Sequence, residues 1–460
     1  MRIRKLFKGI ILLLLLLVAG VFIWLSFTVF PAISGYGSKN LCSSVYLQQR
    51  KPADVIREDL SGFPLSLGTF TVNEKDSSVT GSVWGLAKRK TIYRKGIGCT
   101  LINDFSEEEV RRQPFLLPSP PIIKRDSIPW PYGDKLPVSD SLKINNVLLQ
   151  KVVDNVLHET KSDGESAFTR AVVIVYDGKI IAEKYASGFD KNTLMLGWSV
   201  SKSLTAAMIG ILVKENKLSV DMPAPVAAWI KTKKQKITIK HLLQQTTGID
   251  FVENYTRPSN VTKMLFSKGD MAAYTAALPQ KYKPGNAFNY SSGNTNILSS
   301  IIRHIVGEKK YATFPYQELF YKINAYSFLL EPDASGTYIG SSYSYATARD
   351  FARFGLLYYN NGNWNGEQIL PDNWVKESIQ PSVADKRKHY GYQFWLNGYD
   401  EKNPSKRWYP DVPADMFFAD GYGGQDIYII PSQKLVVVRL GLYAIQENRF
   451  LKDIIQAIHN

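Results

Sequence analysis

Apolar residues follow three different rhythms along this chain. The first is an unbroken run, "IILLLLLLVAGVFIWLSFTVF" over 10–30, that contains no charge. Coiled as a helix it would extend about 30 Å, one bilayer core. The second is short alternation, as in "GTFTVN" and "SSVTGSVWGLA", with turn residues between runs. It predicts a small β-containing region over about 31–113. The third occupies the remainder and mixes both periods. "AFTRAVVIVYDGKIIAEKYA" predicts a hairpin turning at Asp177-Gly178. "KSLTAAMIGILVKENKL" has helical spacing, with Ser and Thr confined to its start. "NTNILSSIIRHIVG" and "TARDFARFGLLYYNNG" predict two more helices, each stopped near a glycine. "DIYIIPSQKLVVVRLGL" returns to strand, with Pro431-Ser432 at the turn. A hairpin before the helices and strands after them predict an α+β fold, an antiparallel sheet with helices packed on it.

One segment has none of these rhythms. "PFLLPSPPIIKRDSIPWPYGDKLP", from 114 to 137, is too rich in proline for a helix or a central strand and reads as an extended connector. The predicted organisation is therefore a basic tail and membrane helix over 1–30, a small region with the connector over 31–135, and a larger domain over 136–460.

Composition fits that division. A chain of 460 residues, 45% hydrophobic and 12% aromatic, can fold as several globular domains. Four of its positive charges, Arg2, Arg4, Lys5 and Lys8, precede the apolar run. The positive-inside rule then places the tail in the cytoplasm and everything after the helix outside. Ala32-Ile33-Ser34 offers a small-x-small cleavage site, so a signal peptide is the alternative. Signal cores usually run about 7–15 apolar residues, and this longer run favours a retained, single-pass signal anchor.

The net charge of +15 is otherwise scattered, apart from "KTKKQK" over 231–236. No zinc-finger spacing, RNA-binding signature or basic heptad helix accompanies it, so nucleic acid is not an expected partner. A solvated surface, or attraction to anionic envelope polymers, accounts for the surplus. The two cysteines, Cys42 and Cys99, both follow the membrane run, in a compartment where disulfides persist. A Cys42–Cys99 bond is expected, with two buried thiols as the alternative.

Candidate chemistry narrows quickly. The five histidines, His158, His241, His304, His389 and His459, include no two at metal-ligand spacing. H-E-x-x-H, G-x-S-x-G and a Walker-type loop are absent from the sequence, and no metal or organic cofactor is implied. What remains is Ser199-Val200-Ser201-Lys202, an S-x-x-K. On a helix, positions three apart share a face, so the Lys202 amine can reach the Ser199 oxygen. A serine needs a neighbouring base to become a nucleophile, and a lysine is a base only while it is neutral. The competing reading is that these hydroxyls merely cap the helix. Tyr290, in "KPGNAFNYSSGNTN", could relay protons beside a lysine. "DGYGGQDIYII", from 420 to 430, sets glycines before a strand, where a substrate could approach the backbone or the chain could simply turn.

In order, these segments resemble the serine β-lactamase and penicillin-recognising family, in its branch of class C β-lactamases, D-alanyl-D-alanine carboxypeptidases and esterases. The resemblance spans roughly 165–445 and also takes in "ITIKHLLQQTTGI" and "HYGYQFW". Its overall look is that of the 6-aminohexanoate-dimer hydrolase-like serine hydrolases. It implies a transpeptidase-like fold, a sheet flanked by helices plus a mostly helical subdomain. It further implies Ser199 as acylated nucleophile, Lys202 as its activator and Tyr290 as proton relay. The amides of Ser199 and Gln425 would form the oxyanion hole, and Ser292, Tyr422, Gly423 and Gly424 would line the substrate site.

Two positions depart from the family pattern. Ser292 stands where the family's Y-x-N motif has asparagine, and Tyr422 where it has a lysine or histidine. Losing that cation weakens binding of a substrate carboxylate, which penicillins and stem peptides carry. The expected activity is thus hydrolysis of a small-molecule or short-peptide ester or amide through a Ser acyl-enzyme. β-Lactamase or D-alanyl-D-alanine carboxypeptidase activity is the alternative, and a slow penicillin-binding or sensor module is a second.

Overall fold

The apolar run forms α1 (Arg2–Thr28), and after a single turn residue the chain continues as α2 (Phe30–Tyr46). This is a computed structural model, and it describes residues 2–136, 144–398 and 402–459. Residues 137–143, near the start of the domain expected from sequence, lie outside the described residues.

The chain divides into two units. The first comprises residues 1–113 together with 252–271 and 333–336. Those two later segments come from the stretch that a linear division assigns to the larger domain. At the centre of the unit is α2, whose residues are mostly buried although many are serine and glycine. An antiparallel meander packs on it: β1 (Gly68–Asn73), β2 (Ser78–Val83), β3 (Leu86–Arg94) and β4 (Gly98–Leu101).

Small residues let helix and sheet approach closely. A Cβ on Gly81 would sit 2.4 Å from the Ser34 carbonyl oxygen, and one on Gly37 would sit 2.0 Å from the Phe70 ring. Ser38 and Thr91 share a buried hydroxyl–hydroxyl bond of 3.0 Å across the same seam. The alternation over 68–101 predicts these strands correctly, but α2 differs from the β expectation for this region. A helix whose buried face is Ser and Gly carries no apolar period to reveal it.

The second unit is built on a six-stranded antiparallel sheet. Its members are β5 (Ala171–Tyr176), β6 (Lys179–Tyr185), β7 (Trp395–Leu396), β8 (Phe417–Gly421), β9 (Gln425–Ile430) and β10 (Leu435–Leu440). Their order across the sheet is β7-β8-β9-β10-β5-β6. The uninterrupted apolar runs "AVVIV", "IYII" and "LVVV" arise because both faces are covered. Val173, Val175, Ile427 and Val438 join the core that includes α4 (Val200–Lys214) and α6 (Ala348–Tyr359). Val172, Ile174, Tyr428 and Val437 join the core with α3 (Asn146–Leu157) and α7 (Glu447–His459). Helix α5 (Ser292–Val306) belongs to the mostly helical stretch between α4 and α6, and packs on α4. The predicted hairpin at Asp177-Gly178, the helices and the later strands all form as expected. The transpeptidase-like arrangement of sheet and helices is present.

Cys42 of α2 and Cys99 of β4 are joined in a disulfide, both fully buried. Closing a loop across 57 positions is worth about 4 kcal/mol in the chain-entropy picture. The Cys42→Ser/Cys99→Ser double variant should lose about that much from the first unit. A urea titration reads it directly, and an unchanged midpoint would refute the assignment of stability to this bond.

Candidate active site

Ser199 stands at the threshold of α4, immediately before its first helical residue, Val200. The turn leading to it is sharp, because Trp198 adopts a φ of +46°, a left-handed conformation uncommon for a non-glycine residue. Ser199 occupies the N-cap position, yet its side chain makes no capping bond. Instead its Oγ accepts a 2.8 Å hydrogen bond from Lys202 Nζ. The capping reading of this hydroxyl is thereby set aside.

The neighbouring hydroxyls are structural. Ser201 Oγ donates to the Trp198 carbonyl at 2.6 Å and meets Ser344 Oγ at 2.7 Å. Ser203 Oγ donates to the Gln393 carbonyl, and Thr205 Oγ1 contacts the carbonyls of Ser201 and Gly340.

Lys202 is only 1% exposed. Its amine also donates to the Ser341 carbonyl at 2.9 Å, and the Ser341 amide is held by Asn296 Oδ1 of α5. The aromatic ring of Tyr290 lies with its centroid 5.0 Å from the same amine. Tyr290 is also packed by Trp395, stacked at 5.1 Å, and by Tyr390, edge-on at 5.7 Å. Three segments far apart in sequence thus meet at the start of α4. Ser292 behaves differently: at the first turn of α5 it is completely buried and offers no surface.

The β8–β9 hairpin approaches from the sheet. A Cβ on Gly421 would fall 2.2 Å from the Gly197 carbonyl oxygen, so only glycine lets β8 touch the loop that carries Ser199. Tyr422 follows, 56% exposed, its ring edge-on to Trp198 at 5.8 Å. Gly423 and Gly424 both take positive φ, +80° and +77°, and the space at each is filled by Leu442 and Arg439 respectively. Their small size accommodates the protein's own atoms, which sequence could not distinguish from room for a substrate.

Gln425 sits across the ladder from Gly421, and its side chain ties the hairpin down. Its Nε2 donates to the carbonyls of Tyr422 (3.2 Å) and Gly441 (2.6 Å), while its Oε1 accepts from the Gly441 amide. Arg439, fully buried, donates to the carbonyls of Gly423 and Gly424 at 3.1 and 2.8 Å and to Thr169. Gln425 and Arg439 therefore act as positioning groups for the loop 422–424. Arg439, Ser341 and Asn296 have no motif of their own, and although Trp395 closes the "HYGYQFW" segment, nothing local signals its contact with Tyr290.

Carboxyl groups face one another beside this clamp. Asp420 pairs in register with Asp426, and Asp426 with Arg439. Burial, then the nearby charge of Glu447, pushes Asp420 up to about 7. Burial, then the Asp420 charge, lifts Asp426 well above the usual carboxylate range.

The class is defined by this fold and this Ser-Lys pair: the protein is a serine hydrolase with the β-lactamase/transpeptidase-like architecture. It belongs to the beta-lactamase family, whose model matches residues 160–441. A 6-aminohexanoate-dimer hydrolase of Paenarthrobacter ureafaciens is 23% identical over 316 residues, covering 62% of this chain and 75% of that protein. Among solved structures, a family VIII carboxylesterase superposes with a TM-score of 0.52 at 15% identity, covering 68% of this chain and 97% of its own. A penicillin-binding protein homologue from Caulobacter crescentus does so with a TM-score of 0.52 at 16% identity, covering 68% and 97%. At such identities the two structures attest the fold alone.

A carboxyl whose folded pKa lies above its unfolded value near 4 holds its proton more tightly in the native state. The Asp420 contribution to stability is therefore full at low pH and is lost as pH rises from about 4 through about 7. Asp420→Asn should make the decline of melting temperature across that window shallower. An equally steep decline in the variant would remove Asp420 from the pH dependence.

Proposed function

We propose that this chain is a membrane-anchored hydrolase with an exported catalytic unit, cleaving an ester or amide through an acyl-enzyme on Ser199. The 2.8 Å contact between Lys202 Nζ and an otherwise uncapped Ser199 Oγ carries this reading. Removing an ammonium from water penalises its charged form, and Lys202 is buried. In the proposed cycle Lys202 takes the Ser199 proton as the oxygen attacks the substrate carbonyl. Tyr290 and Lys202 then return a proton to the leaving alcohol or amine. Water then attacks the acyl carbon, its proton passing to Lys202 and on to Ser199 Oγ as the acyl–oxygen bond breaks and the acid leaves.

The developing oxyanion needs two donors. The Ser199 amide is one. The Gln425 amide is the proposed second: Gln425 is paired across the ladder with Gly421, which abuts the loop carrying Ser199. The substrate class follows from what is absent at position 422: a tyrosine there supplies no cation for a carboxylate. The amide- and ester-cleaving names among the similar proteins agree with an ester or amide substrate.

Anchoring rests on the apolar run of the 27-residue helix α1 and the basic residues in its first two turns. Retention of α1 is supported by the setting of Ala32-Ile33-Ser34, the potential cleavage site. It falls inside α2, with Ile33 and Ser34 buried in the core of the first unit. Cutting there would divide a packed helix.

Ser199→Ala should lower turnover of a short-chain p-nitrophenyl ester by about 10⁴-fold or more and abolish fluorophosphonate labelling. Undiminished turnover in that variant would sink the assignment. Lys202→Arg should be nearly as damaging as Lys202→Ala, because a guanidinium does not become neutral. An active Lys202→Arg enzyme would rule out a proton-accepting lysine. Nitrocefin measured beside the ester separates this activity from β-lactam hydrolysis.

A further inference from the structure

The β2–β3 hairpin turns on Trp84-Gly85, both at positive φ, +51° and +79°. Two-residue turns of this kind favour Asn-Gly or Asp-Gly, because a large side chain strains the left-handed conformation. Here the turn carries an indole that is 62% exposed, followed by exposed Leu86. Phe63, 83% exposed, flanks the same place: Leu65, two residues later, packs with Phe30 and Val83. A hairpin tip surrounded by water gains nothing from these choices.

The rings show where the tip lies. Trp84 stacks on Phe22 of α1, centroids 6.2 Å apart and planes 4° apart, and meets Phe30 edge-on at 5.4 Å. Phe22 belongs to the uncharged run 10–30. It precedes Phe30 by eight residues, about 12 Å of helix. Any placement of α1 that buries this run in a bilayer carries Trp84 into the outermost part of the span. Tryptophan is favoured at that depth. Lys88, exposed and four residues after Trp84, lies about 13 Å from it along the chain, where a headgroup phosphate would be in reach.

We propose that Trp84, Gly85 and Leu86, with Phe63, form a second membrane contact that inserts into the outer-leaflet interface beside α1. The occupant is the phospholipid bilayer itself. The first unit then rests on the membrane surface rather than standing away from it. This rests on the reading of α1 as a membrane-spanning anchor.

The test uses the full chain in nanodiscs of phosphatidylcholine and phosphatidylglycerol, with Cys42 and Cys99 left in their disulfide. A spin label is placed at Trp84→Cys, at Leu86→Cys (which keeps the indole), at Leu16→Cys within α1, and at Lys75→Cys in the β1–β2 turn. Accessibility to oxygen is compared with accessibility to a water-soluble nickel chelate. Labels at 84 and 86 should be severalfold richer in oxygen over nickel contact than the label at 75, approaching the one at 16. Nickel exposure at 84 and 86 equal to that at 75, with 16 protected, would overturn the membrane contact and leave the anchor intact. Nickel exposure at 16 would overturn the anchor, and this contact with it.

Discussion

The candidate site in the second unit depends on one buried lysine being held beside a serine that its helix leaves uncapped. An N-terminal turn normally recruits its own hydroxyl to satisfy an orphan amide. Here the Ser199 hydroxyl is turned to Lys202 instead, and the turn through Trp198 takes a left-handed conformation. Burying an amine is expensive unless its hydrogens find acceptors. Ser199 Oγ and the Ser341 carbonyl supply two, and Asn296 fixes the second by holding the Ser341 amide. The amine's position is thus set by α5 and the 341 loop as much as by its own helix.

The second half of the site is held from behind. The loop 422–424 has little apolar packing of its own, and two of its residues need left-handed backbone. Its carbonyls are gripped by Arg439 and Gln425, both on the neighbouring strands of the sheet. A fully buried guanidinium in such a place is stabilised by carbonyl acceptors and by the Thr169 hydroxyl. The acidic side chains beside it are coupled by proximity, so protonation and loop geometry draw on the same buried charges.

The first unit follows one helical course through two surroundings. From Ile10 to Trp24 the side chains of α1 are apolar and exposed, a stretch long and apolar enough to cross a membrane. Beyond Val29 the same helical course becomes small and polar, and a sheet closes over it at glycine-sized distances. The change of composition marks where an exposed apolar surface gives way to one covered by the rest of the unit.

Local pattern sufficed for much of this protein. Continuous apolar runs marked the doubly covered strands, helical spacing marked α4 to α6, and the S-x-x-K spacing placed Lys202 one turn from Ser199, because each signal is carried by neighbours in the chain. The helix α2 was not legible, since its burial depends on absent side chains rather than apolar ones. Nor was the role of Gln425: its backbone sat in a familiar motif, while its amide side chain reached a carbonyl at 441. The sequence by itself determined the pair at 199 and 202, the strands and the membrane-length run. Only tertiary structure decided that Tyr290 and Ser341 join that pair, that Ser292 is sealed away, and that Gly421 meets the loop carrying Ser199. These depend on segments up to about two hundred residues apart being packed together, and no local spacing encodes such distances.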